Sequence, residues 1–94
     1  MIKISKEKDI IKFNGHSLPN ICAAVSSVMY TTVNALIKYD KDCIHYEDNE
    51  ISDYVIITLK KHDNIIDLLI DNMFTMFNDI AEENESEVNI DIIR

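Results

Sequence analysis

Strict alternation of apolar and polar residues marks some stretches of this chain as strands. A recurrence every three to four residues marks two others as helices. Ile2 and Ile4 alternate with Lys3 and Ser5, the charged Lys6-Glu7-Lys8-Asp9 follows, and then Ile10-Ile11-Lys12-Phe13. Met1 to Asn14 therefore reads as a β-hairpin with a short charged turn. After Gly15 and His16, the cluster Ser17-Leu18-Pro19-Asn20 gathers turn formers and helix starters, with Asn20, or Ser17 one turn earlier, as the expected N-cap. From Ile21 the apolar positions Val25, Val28 or Met29, Thr32 or Val33 and Leu36 fall on one helical face, running to about Tyr39 before Asp40-Lys41-Asp42 ends it.

Cys43 to Tyr46 has the look of a short strand, and the polar run Glu47 to Asp53 that of an open turn. Tyr54 to Lys60 is apolar on both alternating faces, as expected of an interior strand. His62-Asp63-Asn64 then carries a capping signal for a second helix. Its stripe is Ile66, Leu69 or Ile70, Met73, Phe77 and Ile80, with Asp63, Asp67 and Asp71 in the opposite register and Glu82 to Glu85 at its close. The tail alternates cleanly, Val88, Ile90 and Ile92 against Glu87, Asn89 and Asp91. The order is ββαββαβ, which predicts an α+β fold with two helices packed on one face of a mixed five-stranded sheet.

Length and composition narrow the class. Ninety-four residues with 47% hydrophobic and 28% charged residues, one glycine and one proline suit one domain over residues 1–94 and exclude collagen-like or disordered chains. No uninterrupted apolar run nears the roughly 18 residues of a membrane span, and the N-terminus lacks the apolar core of a signal peptide, so a cytoplasmic protein without a membrane partner is expected. Cys22 and Cys43 are expected to be thiols there. The net charge of −8 is uneven: residues 1–47 carry six lysines against five acids, and residues 48–94 three basic groups against twelve acids. With no basic stripe to release phosphate counterions, direct nucleic-acid binding is not expected, whereas a basic peptide would be steered toward the acidic half.

The one dense cluster of reactive side chains is Gly15-His16-Ser17-Leu18-Pro19-Asn20-Ile21-Cys22. Cys22 falls in or near the first turn of the long helix, where unpaired N–H groups and the positive end of the dipole favour a thiolate. Five residues separate it from His16, few enough for the imidazole to fold back onto the sulfur, so a Cys/His pair is geometrically available. The same N–H groups are candidates for an oxyanion hole. Burial as a small hydrophobe is the competing role for Cys22, and turn or cap formation that for His16. Adding Cys43 and His45 to these two yields no recognisable zinc spacing, and no cofactor or metal is expected.

At Gly15-His16-Ser17, followed by Ile21-Cys22-Ala23-Ala24-Val25-Ser26, the chain resembles the ribosomal-processing cysteine proteases called Prp, and the order of elements agrees over nearly its whole length. The resemblance implies a homodimeric endopeptidase that removes the N-terminal extension of a large-subunit ribosomal protein precursor, with Cys22 as nucleophile and His16 as general base. Members of that family usually carry a longer, glycine-containing mobile loop between histidine and cysteine, with an aspartate three residues before the cysteine. Here the connection is shortened and Pro19 stands at that place. A noncatalytic homodimer that binds a peptide or ribosomal protein through the same groove is the competing expectation.

Overall fold

Residues 1–49 and 51–93 are described by a computed structural model; Glu50, which falls in the predicted open turn, and Arg94 lie outside the described residues. Seven elements follow one another in the expected order: β1 (Ile2–Glu7), β2 (Ile10–Asn14), α1 (Pro19–Tyr39), β3 (Ile44–Asn49), β4 (Tyr54–Leu59), α2 (Asn64–Glu83) and β5 (Val88–Ile93). The five strands form one sheet in the order β3-β4-β2-β1-β5. It is mixed because β5 runs parallel to β1 while the other neighbours are antiparallel.

Register explains why a single face is buried. Ile4 pairs with Phe13 and with Ile90, and Ile11 with Ile57, so their side chains share one side of the pleat. Ile4, Ile11, Phe13 and Ile57 are buried there, whereas Lys3, Glu7, Ile10, Lys12 and Asn14 on the opposite side are exposed. Both helices cover the buried side. From α1 come Ile21, Val25, Met29, Val33 and Leu36, and from α2 come Ile66, Ile70, Met73, Phe74 and Phe77. Phe77 sits at the centre, edge-on to Phe13 at 5.5 Å and to Phe74 at 5.8 Å between ring centroids. Each such buried side chain contributes about 1.5–3 kcal/mol relative to exposure. By length and composition α1 would suffice to cross a membrane, contrary to the sequence expectation, but its apolar stripe is part of this core.

Three boundaries differ from the sequence reading. β3 begins after Cys43 and extends through Glu47, Asp48 and Asn49, which the polar composition had assigned to a turn. Pairing with β4 rather than burial creates that strand: His45 lies opposite Thr58, Glu47 opposite Ile56 and Asn49 opposite Tyr54. Edge strands tolerate charge. In the first hairpin, Lys6 and Glu7 are strand residues, and the turn contracts to Lys8 and Asp9, with Lys8 at φ 53°. The third difference is the start of α1. Leu18, not Asn20 or Ser17, is its N-cap, with φ −58°, ψ 147° and no side-chain cap. Pro19 sets this, since its ring suits the first helical position and forces the preceding residue into extended backbone. By contrast α2 starts as expected, with the Asp63 carboxylate accepting from the Ile65 and Ile66 amides at 2.9 and 2.8 Å.

The exit from β2 toward α1 depends on Gly15, at φ +92°, a conformation L side chains rarely adopt. A Cβ there would lie 2.2 Å from the Met1 carbonyl oxygen. The oxygen is backbone and the Cβ is bonded directly to backbone, so neither can step aside cheaply. Gly15→Ala should therefore lower the stability by roughly 1–3 kcal/mol, read from urea unfolding midpoints.

His62 joins the hairpin turn to the start of α2. Its Nε2 lies 2.7 Å from Asp9 Oδ1, and its Nδ1 3.4 Å from Asp67 Oδ1. The Asp9 hydrogen bond first, and then that of Asp67, raise the imidazole above its ordinary value of 6.5. A pKa raised on folding stabilises the native state fully below the unfolded value and ceases to do so as pH climbs through the folded one. The melting-temperature advantage of wild type over His62→Gln should therefore be largest just below pH 6.5 and decline as the pH rises above it, as followed by circular dichroism.

Candidate active site

Five hydrogen bonds fix the corner between β2 and α1. The Met1 amino group donates to the His16 carbonyl at 2.7 Å, and the Ile2 amide to the Glu87 carbonyl at 2.8 Å. The Ser17 hydroxyl donates to Glu87 Oε2 at 2.6 Å, tying the corner to the entry of β5. The Ser17 amide donates to Cys22 Sγ at 3.3 Å, and the thiol reaches back to the Ser17 carbonyl at 3.4 Å. The connection between His16 and Cys22 is thus short and anchored at its first residues. Ser17 serves it as a brace rather than as a helix cap.

Cys22 is the fourth residue of α1, half-buried, and its sulfur faces an amide N–H as well as the positive end of the helix. Two of the amides expected to form an oxyanion hole are engaged within the helix, since those of Ile21 and Cys22 both donate to the Leu18 carbonyl, at 3.0 and 2.9 Å. With Leu18 as N-cap, these are the amides that close the first turn. An acyl oxygen would have to find other donors.

His16 and Cys22 line one cleft of about 360 Å³. Ile2, Phe13, Val25 and Met29 supply its apolar lining, and Asp48, Asn49 and Asp53, from the end of β3 and the turn after it, its polar wall. The imidazole is 70% exposed, and its Nε2 is 2.7 Å from Asp53 Oδ2. Sequence reasoning did not single out Asp53, which looked like one more acid in a polar turn. Its one distinguishing trait is its backbone at φ 54°, a left-handed conformation that Asp tolerates better than most residues and that no sequence period reveals. Asp48, in the same wall, accepts from the hydroxyls of Tyr46 at 3.2 Å and Tyr30 at 3.5 Å.

Cys43 and His45 do not join this site. Cys43 is buried just before β3, with its thiol directed at the Leu36 carbonyl at 3.5 Å. Burial pushes that thiol upward from its ordinary value. Leu36 lies fourteen residues beyond Cys22 on α1, about 21 Å along the axis at 1.5 Å per residue. Neither a disulfide nor a shared metal can span that separation.

The model of the cysteine protease Prp family matches residues 1–89. A search among curated proteins found no match. The fold is similar to that of the essential ribosomal processing protease Prp from S. aureus in complex with a covalently linked product peptide, with TM-score 0.84 and 18% identity over 98% of this chain and 97% of that one. The same S. aureus protease in complex with a substrate peptide gives 0.82 and 16%, again over 98% and 97%. A Streptococcus mutans protein gives 0.80 and 21%, over 98% and 91%. These three likenesses are of fold, and the match over residues 1–89 is what carries kinship: the chain belongs to the cysteine protease Prp family.

Proposed function

We propose that this protein is a cysteine endopeptidase that removes the N-terminal extension of a large-subunit ribosomal protein precursor, acting in the cytoplasm as a homodimer without a cofactor. The observation that carries the reading is the half-buried Cys22 sulfur at the opening of α1, held by the Ser17 amide and sharing a cleft with His16. Family membership supports the chemistry, and the peptide-bound S. aureus structures support a peptide as the occupant of such a cleft.

In this mechanism the imidazole takes the Cys22 proton and the thiolate attacks the scissile carbonyl carbon. The imidazolium returns the proton to the leaving amine as the C–N bond breaks, leaving a thioester on Cys22. Water, deprotonated by the same ring, then attacks the thioester, and the carboxylate product departs with the thiol restored. A basic extension fits the polar wall: Asp48 is held by two neutral hydroxyls, which leave its charge unneutralised. The arrangement that favours a noncatalytic peptide binder instead is that of the sulfur, closed onto the Ser17 carbonyl at 3.4 Å.

Incubation with candidate ribosomal-protein extension peptides separates the two, with mass spectrometry as readout. Wild type should cleave, Cys22→Ala should not, and His16→Ala should retain no more than about a hundredth of the activity. Equal cleavage by wild type and Cys22→Ala would refute the thiol mechanism, and binding without cleavage by wild type would leave the noncatalytic module.

A further inference from the structure

We infer that Asp53 is the positioning residue of this site: its carboxylate holds the His16 ring with Nε2 as the proton-bearing nitrogen and leaves Nδ1 free to serve Cys22. The inference rests on the assignment of His16 and Cys22 proposed above.

An ionised carboxylate only accepts hydrogen bonds, so the imidazole nitrogen 2.7 Å from Asp53 Oδ2 must be the one that carries hydrogen. Nε2 is that nitrogen, and in the neutral ring Nδ1 is then the basic one. When Nδ1 takes the Cys22 proton, both nitrogens become donors, and the Asp53 charge stabilises the imidazolium without accepting the proton itself. The electron pair left on sulfur is the nucleophile, and only Cys22 and His16 change their protonation.

The ring has little else to set its direction. At 70% exposure His16 is not gripped by packing, so a short charge-assisted contact decides which edge it presents to the cleft. The residues on either side of Asp53 are held. Asn49 Oδ1 accepts from the Ser52 amide at 3.0 Å, and Tyr54, which pairs with Asn49 across the strands, donates its hydroxyl to Glu47 Oε2 at 2.9 Å. The left-handed backbone at Asp53 then carries the carboxylate into the wall of the cleft that His16 also lines. Exposed ion pairs add little to folding stability, so what this pair offers is orientation.

A double-mutant cycle tests the assignment, with iodoacetamide at neutral pH as the probe and the second-order rate of Cys22 alkylation as the readout, in the full chain. Asp53→Asn keeps the shape and tolerates the same backbone, while Asp53→Ala removes the side chain's polar end altogether. Each should slow alkylation by roughly twofold to fivefold, the range open to an exposed pair, because the imidazole is less often oriented to take the Cys22 proton. In a His16→Ala background neither should slow it further, since a residue acting through the imidazole has nothing left to act through. Equal slowing in both backgrounds would mean that Asp53 acts on the turn or on the general field, and would overturn the proposal, as would no slowing in either. A rate indifferent to His16→Ala alone would remove the Cys/His pair, and the proposal with it. That last result is distinct from one in which His16 matters and Asp53 does not.

Discussion

Everything that brings chemistry together in this molecule depends on how the chain turns from β2 into α1 within four residues. A positive φ at Gly15 starts the turn, and the fixed φ of Pro19 ends it by making Leu18 extended. Between them the backbone has little freedom, and what remains is taken by the Met1 amino group on His16 and by Glu87 on Ser17. The sulfur is placed by the same arrangement. Once Ser17 is braced against the entry of β5, its amide points at Cys22 Sγ, which connects the last strand in the sequence to the placement of a thiol on the first helix.

Glu87 can do this because of sheet topology. β5 lies beside β1 and parallel to it, so its entry comes up next to Ile2, and the corner leaving β2 stands one strand further in. A chain with the same seven elements and an antiparallel β5 would bring the far end of that strand to this place. The crossover through α2 is what secures the parallel arrangement, and α2 is held by Ile66, Ile70, Met73 and Phe77 packed on the sheet. Core burial and site geometry are therefore coupled through one strand.

Much of this was legible in the sequence, for reasons that also explain the failures. Periods of two and of about 3.6 reflect burial on one face, so Ile2 and Ile4, the stripe of α1 and the alternation of β5 were readable, and with them the order of elements and the α+β class. Asp63 was readable as a cap because a side chain does the capping. α1 lacks that signal, its start being determined by the proline ring, and a search for side-chain caps misplaced it at Asn20 or Ser17. β3 was truncated because Glu47 and Asp48 are strand residues by pairing alone, and composition records burial rather than hydrogen bonding. His16 and Cys22 were visible as close neighbours in sequence. Asp53 was not, because thirty-six residues separate it from His16 and only the pairing of β3, β4 and β2 returns it to the corner.

That pairing also explains why the cleft is acidic on one wall and apolar on the other. The apolar groups, Phe13, Val25 and Met29, face the core side, where burial selects hydrocarbon, while Asp48 and Asp53 come from the end of an edge strand and the turn after it. In the core, two carboxylates would have required cationic partners that cancel their field. At the edge, tyrosine hydroxyls suffice for Asp48, and an exposed imidazole serves Asp53. The polarity of the cleft is thus a consequence of strand order, which allows its charge to face an incoming peptide while its hydrocarbon continues the core.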